Sequence, residues 1–343
     1  MQLAGPLTKM LHYSILDLAP VCQGMTPVDT FKNSADLAQH AEQLGFERYW
    51  LAEHHNMPGI ASSATSVLIG HIASHTQSIR VGAGGIMLPN HSPLVIAEQF
   101  GTLASLYPNR IDLALGRAPG SDMRTARALR RDLSAADTFP QDVQELQELL
   151  GEEIPTNGIR AVPGYGTKVP LWILGSSLFG AQLAAVLGLP YGFASHFAPD
   201  ALAQAVRVYR ENFQASDQLQ KPYVMLGVNV IAAETDQQAS RLYTSLQQQF
   251  VNLFRGAPGQ LQAPIERIED YCAPAEKAGI DRALKYTFVG AAAAVRRDLG
   301  EFVEAFEPDE LMIGGQIYDH QARRDSFEIA AAVCRELARA EAA

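Results

Sequence analysis

The sequence predicts an α/β protein built as a single (β/α)8 TIM barrel, and three observations lead to this prediction. Short apolar runs alternate with amphipathic helical stretches along the 343 residues, which is the pattern of parallel strands joined by helices. Eight such runs can be counted, and eight is the strand number of this barrel. The composition does not change along the chain in a way that marks a domain boundary. We therefore expect one barrel domain over residues 1–343, with excursions after strands 4 and 7.

The predicted strands are short and mainly apolar, as expected of strands that are buried on both faces of a parallel sheet. Turn-forming or polar residues follow nearly every one of them. In chain order the eight are His12–Leu18, Tyr49–Ala52, Ile79–Met87, Ile111–Leu115, Leu171–Leu174, Tyr191–Ala194, Tyr223–Ala232 and Glu310–Ile313.

The helices between them are predicted from apolar residues at helical spacing and from capping residues. The first runs from Thr30 to Leu44 with Asp29 or Thr30 as N-cap, and Ser62 or Ser63 caps a second helix that ends near His75. The segments 154–168 and 255–285 are the two excursions. The remaining helices are predicted at Pro93–Tyr107, Ser121–Leu150 with a break near Pro140, Leu178–Leu187, Asp200–Phe213, Thr235–Phe254, Ala292–Phe306 and Ala322–Ala340.

Composition excludes several classes of protein. With 27 basic and 37 acidic residues the net charge is −10, and no cluster of lysine and arginine stands out, so we expect neither nucleic acid nor membrane as a partner. No signal peptide or membrane span is evident. The three cysteines are far apart and lack CxxC spacing, which indicates neither a disulfide framework nor a structural zinc site. A cytoplasmic location is predicted.

Ionisable residues follow the second strand directly. In a barrel of parallel strands the C-terminal ends share one rim, where active sites lie, so Glu53-His54-His55 should lie there. Adjacent residues of an extended chain point to opposite sides, so at most one histidine should face a ligand. The alternative is that the histidines only cap the strand. Glu53 is expected to orient a neighbour or pair with a cation rather than act as a base.

A phosphate site is predicted at two other strand exits. Gly175, Ser176, Ser177 and Gly180 surround the start of a helix, where free backbone N–H groups and the helix dipole attract an anion. Arg117, at the exit of strand four, can add a positive charge. Taken singly, these residues could be a helix cap and a surface cation, but together they indicate a bound phosphate. The P-loop pattern and GxGxxG are both absent, so a nicotinamide site is not predicted.

Two glycines lie inside the third strand. Gly84 and Gly85 interrupt a run of strand formers, and glycine at such a position usually marks a bulge or a close approach of the backbone to another group. A flat ring stacked on this backbone would account for both glycines.

Other polar residues have competing interpretations. His71 and His75 are four apart on one helix, which suits two metal ligands, but no third ligand is evident and no metal is predicted. His196 lies on the predicted rim, where a ligand contact and a structural role are both open. Asp319-His320 and Arg323-Arg324 follow the last strand and are interpreted as solvated charges at a helix start.

Several of these motifs, in this order, resemble the bacterial-luciferase-like flavin-dependent monooxygenases. The match runs in order from strand one to the final helix and covers most of the chain, and the excursions at 154–168 and 255–285 are its weakest parts. The motifs are Trp50-Leu51-Ala52-Glu53-His54-His55, Val81 to Pro89, Ala97-Glu98-Gln99, Asn109-Arg110, Gly116-Arg117, Gly175-Ser176-Ser177 and Thr287-Phe288-Val289-Gly290.

The resemblance implies a barrel that binds reduced FMN at its C-terminal mouth and oxidises a small organic substrate with O2. By position, His54 matches a catalytic histidine that handles protons beside the flavin. Arg117 and Ser177 match phosphate contacts, and Ser176 and Gly180 are expected to add backbone N–H groups beside Gly175. Gly84-Gly85 matches a non-prolyl cis peptide against the flavin ring. Relatives suggest a homodimer formed through the helices after strands two and three, and a separate NAD(P)H:flavin reductase that supplies the flavin.

Departures from luciferase itself limit the inference. Luciferase has a cysteine where this chain has Gly116 and two alanines where it has Gly84-Gly85, so light emission is not predicted; hydroxylation, Baeyer–Villiger insertion and carbon–sulfur cleavage remain open. An F420-dependent oxidoreductase and a flavin-binding protein without turnover are the alternatives. A metal-dependent hydrolase on the same barrel is a more distant one.

Overall fold

Eight parallel strands close into a barrel in the computed structural model, which describes residues 11–118, 123–129, 138–155 and 158–340. The predicted (β/α)8 fold is confirmed. Neighbours around the ring are β1-β2-β3-β4-β5-β6-β7-β9, and β9 pairs back with β1. The strands are β1 His12–Asp17, β2 Arg48–Leu51, β3 Arg80–Met87, β4 Ile111–Gly116, β5 Leu171–Gly175, β6 Tyr191–Phe193, β7 Val224–Ala232, β8 Thr287–Gly290 and β9 Glu310–Gly314.

A ninth strand lies outside the ring, and the sequence-based count of eight left it out. Among the described strands, β8 pairs only with the end of β7, Asn229–Ala232, whereas Met225–Asn229 pairs with β9. The strand has four residues, and its burial alternates. It therefore lacks the continuous apolar run that identified the ring strands.

The helices pack around the barrel as expected, with one addition. The second excursion, 255–285, contains a helix, α9. No helix in the described ranges is long and apolar enough to span a membrane. The helices are α1 Pro27–Leu44, α2 Thr65–His75, α3 Pro93–Leu106, α4 Met123–Ala128, α5 Phe139–Leu150, α6 Leu178–Leu187, α7 Leu202–Asn212, α8 Asp236–Phe254, α9 Pro274–Ala283, α10 Ala292–Phe306 and α11 His320–Ala340.

Helices α1 and α5 both have a proline in their first turn. Helix α1 is capped by Thr26, not by Asp29 or Thr30: Asp29 is the third helical residue and its side chain accepts a hydrogen bond from the backbone N–H of Thr26 at 2.9 Å, which completes a capping box. Helix α5 begins at Phe139 with Pro140 in its first turn, where proline is tolerated, and residues 130–137 of the predicted helix lie outside the described residues. Ser121 lies outside the described residues.

Buried ion pairs close the N-terminal end of the barrel. Arg48 on β2 contacts Asp112 on β4 at 2.9 Å and Glu310 on β9 at 3.1 Å. Arg80 also pairs with Asp112, and the Tyr223 hydroxyl donates to Glu310 at 2.9 Å. Since every buried carboxylate here is paired, the network holds four strands in register and fills the floor of the barrel.

A second buried pair joins the last helix to the first strand. Arg323 on α11 donates to Asp17 at 2.8 Å, and Ser34 and Tyr49 donate to the same carboxylate. Both partners are buried, so the prediction that Arg323 is a solvated charge is wrong. Burial alone would raise the pKa of Asp17, but Arg323 and the hydroxyl donors outweigh it and lower the pKa.

Candidate active site

The C-terminal ends of the strands surround a cavity of about 560 Å³, a volume typical of ligand sites. All the residues predicted to form the site line this cavity. They are His54, Gly84, Gly85, Arg117, Gly175, Ser176, Ser177 and Gly180. Residues up to 126 positions apart in the chain thus meet at one rim, as the barrel topology requires.

His54 lines the cavity, and the serines predicted to cap α2 hold its backbone instead. The Ser63 hydroxyl donates to the carbonyl of His54 at 2.7 Å, and the Ser62 hydroxyl donates to the carbonyl of Ala52. Helix α2 starts after Ala64 without a side-chain cap, so the predicted cap is wrong. The strand exit keeps a fixed backbone because these two carbonyls are satisfied.

Burial lowers the pKa of His54, Glu53 opposes this shift and His55 adds to it. The imidazole is therefore mainly neutral at pH 7. A neutral imidazole can accept a proton at one nitrogen and donate one at the other.

Glu53 organises the opposite side of the strand exit. Its Oε1 lies 2.6 Å from Nε2 of His55 and 2.7 Å from Nε2 of His91, and its Oε2 accepts from the backbone N–H of Met87 at 3.0 Å. Burial alone would raise the pKa of Glu53, but the hydrogen bonds from His91, His55 and Met87 lower it. Glu53 thus orients its neighbours, as predicted, and only His54 of the two adjacent histidines lines the cavity.

The donor atoms of Glu53, His55 and His91 are also close enough together to be considered as metal ligands. Both nitrogens, however, lie at hydrogen-bonding distance from one carboxylate oxygen. Ligands on a metal ion at 2.0–2.2 Å are generally about 3 Å or more apart. The arrangement fits two N–H donors on a shared acceptor.

The Gly84–Gly85 peptide bond is cis, and it forms part of the cavity wall. The pairing of β3 with β4 shifts between Gly84 and Ile86, so the predicted bulge is present. A Cβ on Gly85 would lie 2.5 Å from the carbonyl oxygen of Ala114, and one on Gly84 would lie 2.8 Å from Leu16. The barrel therefore excludes a side chain at Gly85, whereas one at Gly84 would require the end of the Leu16 side chain to move.

Positive charge and free N–H groups meet at another side of the cavity. The guanidinium of Arg117 stacks on the ring of Phe179, 4.0 Å from its centroid. Phe179 is the second residue of α6, whose N-cap Ser177 makes no side-chain capping bond. Thus the hydroxyl of Ser177 does not serve as the local cap that was the competing interpretation. The arrangement offers an anion a fixed cation and a helix N-terminus together.

The rest of the lining was not predicted from the sequence and is largely apolar. Besides residues of the barrel strands, it includes apolar side chains from one side of α8, from the loop after β2 and from the residue after His196, namely Met57, Ile60, Phe197, Leu246, Phe250, Leu253 and Phe254. The apolar spacing on α8 predicted a helix, but the same spacing packs other helices against the barrel. Sequence alone therefore did not show that this helix covers the mouth.

The remaining predictions concern polar residues with competing interpretations, and of those discussed next only His196 lines the cavity. His71 and His75 are exposed. Nδ1 of His75 lies 2.8 Å from the carbonyl oxygen of His71, so this nitrogen makes a local hydrogen bond. Asp319 accepts from the backbone N–H of Ala322 at 2.8 Å, as expected at a helix start. His320 is not simply solvated, because it lies 2.7 Å from Asp36 on α1. His196 lines the cavity.

Comparison with known proteins gives a consistent picture. Residues 11–264 match the family model described as luciferase-like monooxygenase. A protein of Escherichia coli K12 named luciferase-like monooxygenase is 55% identical over 330 residues, which cover 96% of this chain and 98% of that protein.

Solved structures share the fold. That of apo-MsnO8 has a TM-score of 0.86 at 32% identity and covers 95% of this chain and 98% of its own. The oxygenating constituent of 3,6-diketocamphane monooxygenase from Pseudomonas putida, described as a type II Baeyer–Villiger monooxygenase in complex with FMN, has a TM-score of 0.73 at 16% identity. The match covers 94% of this chain and 97% of that one.

Proposed function

Because the chain belongs to the luciferase-like monooxygenase family, we propose that it is an FMN-dependent monooxygenase that oxidises a small organic substrate with molecular oxygen. The observation that carries this proposal is the junction of two features in one cavity. One side offers Arg117 and the open N-terminus of α6, and another offers the side-chain-free backbone of Gly84 and Gly85.

The residues present fit reduced FMN. Arg117, Ser177 and backbone N–H groups around Ser176 and Gly180 would hold its phosphate, since a dianion prefers a guanidinium and a helix N-terminus. The glycine backbone at 84–85 would support the flat ring, because no side chain separates it from the cavity. Bound in the reduced state, the flavin supplies the electrons that activate oxygen.

His54 is the group we assign to proton handling. It lines the cavity, its backbone is fixed by Ser63, and its lowered pKa leaves it neutral at pH 7. A neutral imidazole held in place can take a proton from, or return one to, an oxygen atom beside the flavin. Glu53 acts as a positioning residue, because it fixes the strand exit that carries His54.

The reducing equivalents are proposed to come from a separate NAD(P)H:flavin reductase, since the sequence has no dinucleotide fingerprint. The three cysteines are free and buried, which suits a reducing compartment such as the cytoplasm. A homodimer is also proposed. Large apolar side chains are exposed on the two helices after β2 and β3: Val67 is 72% exposed, Leu106 64% and Val95 44%.

Incorporation of labelled oxygen tests the function. The protein, a flavin reductase, NADH and FMN are incubated under ¹⁸O2 with a panel of ketones, thioethers and terpenes, and products are identified by mass spectrometry. We expect at least one product to carry a single ¹⁸O atom, and we expect His54→Ala to reduce its yield at least 10-fold. Oxidation without label in any product, or unchanged yield with His54→Ala, contradicts the proposal.

The same experiment separates the alternatives. An F420-dependent oxidoreductase would transfer hydride without incorporating oxygen, and replacing FMN by reduced F420 would support turnover. A flavin-binding protein without turnover would bind FMN and give no product across the panel.

A further inference from the structure

His196 lines the cavity, and the proposed function assigns it no role. It follows β6, and its ring lies against β7 where Gly227 leaves space, since a Cβ at that position would collide with Nδ1. Its backbone is fixed from both sides. The Asn229 side chain donates to the carbonyl of His196 at 2.8 Å, and the Ser195 hydroxyl donates to the carbonyl of Gly227 at 2.6 Å.

The two ring nitrogens of His196 have different surroundings. Nδ1 is completely buried and has no hydrogen-bond partner among the described residues. A proton on Nδ1 would leave a buried donor unsatisfied, which is costlier than leaving a weak acceptor unsatisfied. The proton therefore belongs on Nε2, the nitrogen that remains to meet a molecule in the cavity.

The charge state of the ring is fixed as well. Burial lowers the pKa of His196 to about 4, and the nearby His54 adds to the shift. Near neutral pH the ring is therefore an uncharged N–H donor. This differs from Arg117, whose permanent charge suits an anion.

The surroundings indicate what such a donor meets. The ring of Phe197 packs edge-on against His196 with centroids 4.8 Å apart, and apolar side chains of α8 such as Phe250 and Leu246 line the same cavity. An anion beside a neutral donor and an apolar wall would lose its hydration without a compensating charge. An uncharged oxygen acceptor would lose little and gain the hydrogen bond.

We propose that His196 binds the substrate by donating a hydrogen bond from Nε2 to an uncharged oxygen acceptor on a largely apolar molecule. The proposal rests on the proposed function, because the substrate is taken to enter the cavity that holds FMN. It makes His196 a specificity-determining residue that selects molecules with a neutral acceptor over hydrocarbons and carboxylates of the same length.

Binding of three probes of matched chain length tests this role without turnover. The probes 2-nonanone, 1-nonene and nonanoate are titrated against the protein saturated with oxidised FMN. Fluorescence of the two tryptophans serves as readout, because Trp50 lines the cavity and the ring centroid of Trp172 lies 5.1 Å from that of Trp50. We expect wild type to bind the ketone about 3- to 10-fold more tightly than the alkene, as one neutral hydrogen bond allows, and to bind the carboxylate most weakly.

Variants then assign the preference to His196. His196→Leu should reduce ketone affinity about 3- to 10-fold and leave the alkene unchanged, whereas His196→Gln, which keeps an N–H donor, should restore part of the preference. Equal ketone and alkene affinity in wild type, or equal losses for both in His196→Leu, would overturn the proposal. So would a loss of FMN affinity with ketone binding unchanged, because His196 would then hold the cofactor. Failure of wild type to bind FMN at all would count against the proposed function instead.

Discussion

Replacing Arg117 by alanine tests the phosphate side of the cavity. The guanidinium stacks on Phe179 in front of the open N-terminus of α6. A hydrogen bond to a charged group contributes about 1.5–3 kcal/mol, but Arg117 is exposed to solvent and screening reduces that value. We therefore expect a loss of about 1–2 kcal/mol, which is about a 5- to 30-fold rise in the Kd for reduced FMN.

Riboflavin is the matched ligand, because it has the same ring and lacks the phosphate. Its Kd should not change in Arg117→Ala. Arg117→Lys keeps a charge but loses the planar donor group and the stacking, so its FMN affinity should lie between those of wild type and alanine. The difference between FMN and riboflavin should shrink as salt is added.

Anaerobic fluorescence titrations at low and high salt measure these Kd values. The reasoning is refuted if Arg117→Ala weakens FMN and riboflavin equally, since Arg117 would then support the ring or the fold. It is also refuted if FMN affinity does not change, because the phosphate would then bind elsewhere.

Three further predictions concern stability and pH. Gly85→Ala should lower the free energy of unfolding by at least about 2 kcal/mol, because its Cβ would lie 2.5 Å from a backbone oxygen. Gly116→Ala should change this free energy little, because the nearest atom to its Cβ is 3.8 Å away. Urea unfolding compares the two variants. Arg323→Met should cost about 3–5 kcal/mol by leaving the Asp17 carboxylate buried without its cation. Because the pKa of Asp17 is lowered, the ionised carboxylate stabilises the folded protein above pH 3.8, and this stabilisation is lost as the pH falls through the lowered value. The difference in unfolding free energy between wild type and Arg323→Met should therefore shrink in acid. Unfolding at pH 7 and in acid measures this difference. If catalysis requires neutral His54, kcat/KM should be level above pH 7 and should fall only below pH 6.5, because the pKa of His54 is lowered from 6.5. In His54→Gln the fall of kcat/KM at acidic pH should disappear. A loss of activity on raising the pH above 7 would contradict the role of neutral His54.

The sequence predicted the ring strands and the rim residues because both depend on local patterns. Apolar runs between turn residues mark buried parallel strands, and a barrel brings their exits together whatever lies between them. For this reason His54, Arg117 and Ser177, far apart in the chain, could be assigned to one cavity before their positions were known.

Features that depend on distant partners could not be predicted. Arg323 followed a strand exit and had the pattern of a solvated helix start, but its partner Asp17 lies at the other end of the chain. Ser62 and Ser63 were predicted to cap a helix, but their hydroxyls donate hydrogen bonds to backbone carbonyls at the exit of β2. In each case the residue type was compatible with several partners, and only tertiary packing selected one.

The cavity wall formed by α8 is a third kind of omission. The apolar face of this helix was evident, but whether it packs on the barrel or covers its mouth depends on the path of the chain after β7. The same limit applies to His196, because its Nδ1 is buried against Gly227 of the neighbouring strand β7.

Anaerobic titration of the wild-type protein with reduced FMN is the measurement that tests the central claim most directly. Reduced F420 and riboflavin are titrated in parallel, and binding is followed by tryptophan fluorescence. We predict saturable binding of one FMN per chain, tighter than riboflavin because of the phosphate site and tighter than F420. The absence of saturable FMN binding, or tighter binding of F420, would contradict the assignment of this cavity to FMN.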